Sequence, residues 1–309
     1  MSGLRQAAED YLAMRRSLGF ALVREGQMLM SFITHLEQAG AASITTELAV
    51  SWAVRTRPGV NPACRNRRLT VVRIFARHLH AIDPSAEVPP AGLMASHYPR
   101  VTPHLYTPEE ITALMTAAAA LKHPLRALTY QTLIGLLGIT GMRVGEACGL
   151  DCTDVDLEAG LLTIRAGKLG KAREVPLHPT ATQALRAYGQ QRDQLCRVVS
   201  TPGFFVNTRG NRLAARHVPE VFAELREAAG IRPAPGGRNP RAHDLRHSFC
   251  VATMVGWYRA GVDVHAHLPL LSTYVGHVDP VSTYWYLQAA PELLALAADR
   301  LGHFLGDLP

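Results

Sequence analysis

Three separated stretches of this 309-residue chain carry polar groups that packing alone does not account for: Thr140-Gly-Met-Arg-Val-Gly-Glu146, His243-Asp-Leu-Arg-His247, and Gly276-His-Val-Asp-Pro-Val-Ser-Thr-Tyr-Trp-Tyr286. A fourth, Gly167-Lys-Leu-Gly-Lys171, holds two of the three lysines of the whole chain, against 29 arginines. Guanidinium groups such as those of Arg143 and Arg246 offer planar forks that match the oxygens of a phosphate or carboxylate. The imidazoles of His243 and His277 titrate near neutrality and can give or take a proton. An ammonium can serve as an acid, and a Tyr hydroxyl as a nucleophile. Taken singly, each stretch has a bland reading: Arg-x-x-Glu is commonly a helical ion pair, His-x-x-Arg occurs by chance, and a Tyr after a Trp is usually core.

The elements that must position these groups are mostly helical. From residue 5 to about 81, apolar positions such as Leu29, Phe32, Ile33 and Leu36, then Leu69, Val72, Phe75, Ala76 and Leu79, recur three and four apart. Residues 83 to 105 contain Pro84, Pro89, Pro90, Pro99 and Pro103 without periodicity, which predicts an extended linker. The expected division is a helical domain over 1–83, a linker over 84–104 and a second domain over 105–309. Thr107-Pro-Glu-Glu110 reads as a capping box opening a helix. Residues 125 to 150 read as helix, a turn at Thr140 and Gly141, and a second helix beginning with Arg143. Leu161 to Ala166 and Ala172 to Leu177 read as strands around the Gly167–Lys171 tip. Helices follow near 180–197 and 214–229. The predicted fold is mostly α with a small antiparallel β-sheet.

In order and spacing the four stretches resemble the tyrosine recombinase family, which includes phage integrases and Xer recombinases, most specifically from 140 to 286. In that family an Arg follows a Thr-Gly turn, a Lys sits on a β-hairpin, a His-x-x-Arg box comes next, then Gly-His, and nine residues after that His the nucleophilic Tyr. The resemblance implies a helical, SAM-like core-binding domain over 1–83 and an α+β catalytic domain over 105–309. It assigns Arg143 and Arg246 to the phosphate oxygens, where charge builds during attack, and His243 and His277 to the phosphate or the Tyr proton. Lys168 becomes the acid for the leaving 5′ oxygen, with Lys171 the alternative register, and Tyr286 the nucleophile that forms a 3′-phosphotyrosine. Glu146, one turn from Arg143, would orient that guanidinium or simply form an ion pair with it. No cofactor and no metal are implied. Tyr274 and Tyr284 read as packing or DNA-contacting aromatics, His247 as a packing or hydrogen-bonding residue, and His265 and His267 as loop residues. The stretch from Trp257 to Pro269 is longer than in compact relatives and reads as an insertion.

Composition agrees with a polyanionic partner. The formal charge is +7 and the pI about 9.4, and a basic surface gains affinity for nucleic acid by releasing counterions. Residues 5 to 83 hold eleven arginines against six acids, a balance of +5. Arg65, Arg67, Arg68, Arg73 and Arg77 are the expected DNA-contacting face. The five cysteines are scattered and read as small hydrophobes. No apolar run reaches membrane-spanning length, so the expected setting is cytoplasmic and nucleoid-associated, with no membrane. Expected partners are double-stranded DNA, a homo-tetramer on two paired DNA sites, and accessory recombinases or DNA-bending proteins. The resemblance implies a mobile genetic element as the setting. Pro291 to Leu305 reads as an amphipathic helix that docks on the next protomer or on its own domain. Two rivals keep the fold: a type IB topoisomerase-like activity, and a DNA-binding protein that has lost cleavage. A metal-dependent nuclease would need clustered carboxylates, and Asp151, Asp154, Asp156 and Glu158 read better as a solvated turn.

Overall fold

Apolar residues on one helical face drive the first third of the chain into a four-helix unit. The computed structural model describes residues 3–55, 62–94, 102–165, 172–276 and 293–296, and the chain separates into two compact units, Met1–Arg100 and Val101–Pro309. In the first, α1 (Gly3–Ser17), α2 (Val23–Gln38), α3 (Thr46–Val54) and α4 (Pro62–His80) enclose Leu29, Phe32, Ile33, Leu36, Trp52, Leu69, Val72 and Phe75. Each such side chain contributes roughly 1.5–3 kcal/mol by leaving water. Thr45 caps α3 by accepting from the Leu48 amide.

The segment expected to be an extended linker does not begin at residue 84. Ala86 is fully buried in the first core, and Val88 and Met94 pack against it. The Glu87 amide donates to the Ile44 carbonyl at 2.9 Å, while its carboxylate accepts from the Thr46 amide. Arg73 of α4 donates to the carbonyls of Pro89 and Pro90 at 2.7 and 2.8 Å. Prolines break periodicity without preventing a strap from packing, because their carbonyls still accept.

The second unit opens with Tyr106, whose amide donates to Ser248 Oγ at 2.7 Å and whose ring is buried. The expected capping box at Thr107 and Glu110 starts α5 (Pro108–Ala119). α6 (Pro124–Thr140) ends at Gly141, whose φ of 60° is the left-handed conformation that turns the chain into α7 (Val144–Gly149). Three antiparallel strands follow in the order β1 (Val155–Asp156), β2 (Leu161–Ile164), β3 (Arg173–Pro176), with Leu162 opposite Val175 and Ile164 opposite Arg173. α8 (Pro179–Leu195) and α9 (Val218–Ala228) complete a core that includes Leu133, Leu137, Leu162, Tyr188, Phe205 and Leu225.

The Trp257–Pro269 stretch is not a loop insertion. It is the end of α10 (Asp244–Arg259), a tight turn at Gly261, and the start of α11 (Val264–Val275), capped by Asp263 accepting from the Ala266 amide. His265 and His267 therefore lie on a helix, with His267 Nδ1 2.8 Å from the Asp263 carbonyl. α10 and α11 share a second cluster of Cys250, Met254, Leu268, Leu271 and Val275, joined by Leu293. Of the tail expected to be a helix, only 293–296 falls within the described residues and is helical.

Candidate functional site

The turn at Gly141 gathers two of the expected arginines. Arg143 stands just before the first turn of α7, so Glu146 is one turn on and its carboxylate reaches back to the Arg143 amide at 3.0 Å and to Nη1 at 2.6 Å. Arg143 Nη2 donates to the Gly276 carbonyl at 2.8 Å. Arg246, in the first turn of α10, is 2% exposed and donates through Nη1 to the Gly141 carbonyl at 2.7 Å. Gly141 admits no side chain: a Cβ there would lie 2.5 Å from Phe249 Cδ1.

Glu146 also accepts from Arg173, Nη1 to Oε1 at 3.1 Å and Nη2 to Oε2 at 2.8 Å. Each carboxylate oxygen thus takes two donors, the full capacity of the group. Burial pushes the Glu146 carboxyl up, but the hydrogen bonds and charge of Arg173, with those of Arg143, outweigh it and hold the pKa at about 2. Arg173 Nε donates to the Tyr274 carbonyl at 2.9 Å, and its guanidinium lies against Gly276, where a Cβ would meet Nη1 at 2.6 Å.

His243 and His247 face each other edge to face with ring centroids 5.0 Å apart. His243 is exposed as a residue, with its ring against that of His247. Desolvation first, then the positive charge of Arg246, lowers its pKa. Burial and the neighbouring His243 and arginines push His247 down to about 3. Beneath them Asp244 is fully buried, accepting from Arg238 Nη2 at 2.8 Å and from the Arg241 amide at 2.9 Å. Tyr274 stacks on Phe249 at 5.7 Å and 23°, a packing role.

Arg143, Glu146, His243 and Arg246 are therefore brought together. Lys168 and Lys171, between β2 and β3 in the sequence, and His277 and Tyr286 lie outside the described residues, but the chain flanking both stretches converges on one group. Arg173, two residues beyond Lys171, and Gly276, immediately before His277, are in contact. The model of the phage integrase family matches residues 105–292. The chain belongs to that family. Among its relatives, the protein named "Putative integrase/recombinase y4rB" of Sinorhizobium fredii is 42% identical over 307 residues, covering 97% of this chain and 98% of the relative. Tyrosine recombinase XerD of Mycobacterium tuberculosis is 33% identical over 274 residues, covering 84% and 83%. The fold matches XerH site-specific recombinase bound to palindromic difH substrate, with TM-score 0.65 at 19% identity over 88% of this chain and 77% of that one. It also matches a lambda integrase tetramer bound to a Holliday junction, with TM-score 0.63 at 18% identity over 92% and 76%.

Sequence reasoning missed Arg173 in this phage-integrase-family domain. The signal was present: Arg173 and Val175 share one face of β3, Val175 is fully buried, and an Arg on an inward face requires an acid. The expected basic face on α4 is corrected in part. Arg73 is 8% exposed and spent on Pro89 and Pro90, because its helical position faces the first unit's strap. Arg68 donates to the Trp52 carbonyl and stacks on that ring, and Arg67 pairs with Glu25 at 2.5 Å. Arg65 is half-buried and Arg77 exposed. Five arginines spaced 2, 1, 5 and 4 apart wrap around a helix of 3.6 residues per turn instead of sharing a face. The acidic stretch is also less solvated than expected, since Asp154 is buried and bonded to Arg165 and to the Asp151 amide. Among the described residues no helix is long and apolar enough to cross a membrane.

Proposed function

We propose that the chain is a site-specific DNA strand transferase of a mobile element that works through Tyr286. Its hydroxyl attacks a backbone phosphodiester, forming a Tyr–phosphorus bond and breaking the bond to the 5′ oxygen. The product is a 3′-phosphotyrosine and a 5′ hydroxyl, which takes its proton from Lys168. Reversal on a second strand rejoins DNA without ATP, because the bond energy is kept. Arg143 and Arg246 hold the non-bridging oxygens, Glu146 and Arg173 hold Arg143, and His243 and His277 handle the phosphate and the Tyr proton. Charge stabilisation by two guanidiniums supplies what a metal supplies elsewhere. The observation that carries this reading is the convergence of Arg143 and the flanks of both the lysine hairpin and the tyrosine segment on the Glu146–Arg173 pair, with Arg246 held on the Gly141 carbonyl two residues before Arg143. The relatives' names and the tetramer in which lambda integrase is found support DNA as substrate and four protomers on two sites. The division of labour proposed is core binding by the first unit and chemistry by the second.

The test is to incubate the protein and its Tyr286→Phe variant with nicked DNA carrying the flanks of its own encoding element, in EDTA. A covalent protein–DNA band on a denaturing gel is expected from the wild type and not from the variant. A band that survives the substitution names another nucleophile; DNA binding with no band from either protein favours the non-catalytic rival.

A further inference from the structure

The first unit contains a concave polar pocket of about 420 Å³ between α2, α3 and α4, whose lining includes Ser31, His35, Gln38, Trp52, Arg55 and Arg68. Its hydrogen bonds fix the state of each member. Arg55 Nη1 donates to His35 Nδ1 at 3.2 Å, so that nitrogen is an acceptor and the imidazole proton sits on Nε2. Nε2 then donates to Ser51 Oγ at 3.2 Å, whose hydroxyl donates to the Leu48 carbonyl at 3.0 Å. His35 is thus held neutral; desolvation first, then the charge of Arg55 and Arg68, lowers its pKa. Arg68 donates to the Trp52 carbonyl at 2.7 Å with its guanidinium 3.8 Å above the Trp52 ring. Stacking on a buried Trp fixes the plane of the fork, and with Nη2 on the Trp52 carbonyl and Nε buried, Nη1 is the donor left for another acceptor.

What the pocket lacks is an acid. Elsewhere in this unit Arg5 pairs with Glu37 and Arg67 with Glu25. Among the described residues neither Arg55 nor Arg68 meets a carboxylate, and Glu37, on α2 beside the pocket, is committed to Arg5 at 2.5 and 3.0 Å. Two fixed guanidiniums in one concavity, with the neutral donors of Ser31 and Gln38 at its rim, match a tetrahedral oxyanion.

We infer that this pocket seats one phosphate of the DNA backbone, gripped by Arg55 and Arg68 and anchoring the first unit on the duplex. The inference rests on the proposed DNA substrate. It moves the DNA contact away from the Arg73 side of α4 and adds Arg55, which lies outside the arginine run. A phosphate contact of this kind positions a protein without reading sequence.

The experiment measures binding of the full-length protein to the same flanking duplex as a function of salt. Each phosphate neutralised contributes about 0.9 to the slope of log affinity against log salt. Arg55→Ala is expected to reduce the slope by roughly that amount, with an unchanged melting temperature, since Arg55 follows the last turn of α3 and is exposed. Arg24→Ala, an exposed arginine outside the pocket, should leave the slope unchanged. Arg55→Gln, which keeps a donor for His35, provides the same test if the alanine variant fails to fold. A wild-type slope in the Arg55 variants, or an equal loss in Arg24→Ala, overturns the pocket. So does a melting temperature raised by inorganic phosphate through Arg55 while the DNA slope stays unchanged, which marks a free-anion site. Failure of the wild type to bind DNA removes the underlying reading as well, whereas normal binding and covalent adduct formation with an unchanged slope removes the pocket alone.

Discussion

Replacing Arg173 with Ala removes both hydrogen bonds of its fork from a Glu146 side chain that is only 5% exposed, and Arg173 itself is 9% exposed, so solvent cannot take over. Two estimates bear on the magnitude. Breaking a buried ion pair costs about 3–5 kcal/mol, and retention of the Arg143 contacts puts this case at the lower end. Independently, a carboxyl held at about 2 instead of its ordinary 4.5 corresponds to roughly 3 kcal/mol. The sign follows from the depressed pKa: this stability is fully present above pH about 4.5 and is lost as pH falls towards 2. Arg173→Ala should therefore lower stability at neutral pH by about 3 kcal/mol and raise the Glu146 pKa, shifting acid unfolding to higher pH. Because Arg143 would lose its anchored partner, cleavage at saturating DNA should fall about 100-fold, the usual cost of a misplacement near 1 Å, while DNA affinity changes little. Single-turnover cleavage of a nicked substrate, with binding measured separately, reads both quantities. Arg173→Lys keeps the charge without the fork and should recover stability better than rate. Wild-type cleavage by a folded Arg173→Ala protein would refute the positioning role.

Three other outcomes follow from the same geometry. Gly141→Ala should destabilise by about 2–4 kcal/mol, combining left-handed strain with displacement of Phe249; a melt within error of wild type would remove the close-approach argument. Arg73→Ala should cost about 2 kcal/mol in denaturant titration through its two lost carbonyl contacts and leave the salt dependence of DNA binding unchanged, whereas a changed salt slope would return Arg73 to the DNA face. His247, whose folded pKa of about 3 lies below the ordinary 6.5, contributes stability above pH 6.5 that is lost as pH falls towards 3, at up to about 1.4 kcal/mol per pH unit; urea titrations of His247→Gln across that window should show a flatter pH dependence.

The residues that sequence made legible are those whose roles are local. The Thr107–Glu110 box, the Gly141 turn and the alternation of Leu162 and Ile164 each depend on neighbours within a few positions. The α10–α11 turn was legible too, since Gly261 followed by Asp263 is a helix stop followed by a cap, but family spacing drew attention to an insertion instead. The inward face of Arg173 was legible from the strand alternation, but its partners were not, because Glu146 and the Tyr274 carbonyl lie 27 and 101 residues away. The orientation of the α4 arginines was hidden for a related reason. Which side of that helix meets solvent depends on where residues 86–94 pack, and prolines made that strap look free.

The charge balance of the second unit adds to the desolvation that lowers the pKa of His243 and His247. Glu146 serves Arg143 and Arg173, and Asp244 serves Arg238 with Arg241 close by at 3.8 Å. With Arg246 that makes five guanidiniums around two carboxylates. Buried pairs of this sort contribute little net stability, because desolvation offsets attraction; what they fix is where the surplus positive charge points. Desolvation first, and then that surplus, lowers the pKa of His243 and His247. On the proposed chemistry an arriving phosphodiester cancels part of that surplus and raises the affinity of His243 for a proton at the moment when the attacking hydroxyl must lose one. Substrate charge would then switch on the site's own proton acceptor, and a neutral phosphate analogue such as a methylphosphonate should bind without raising the His243 pKa.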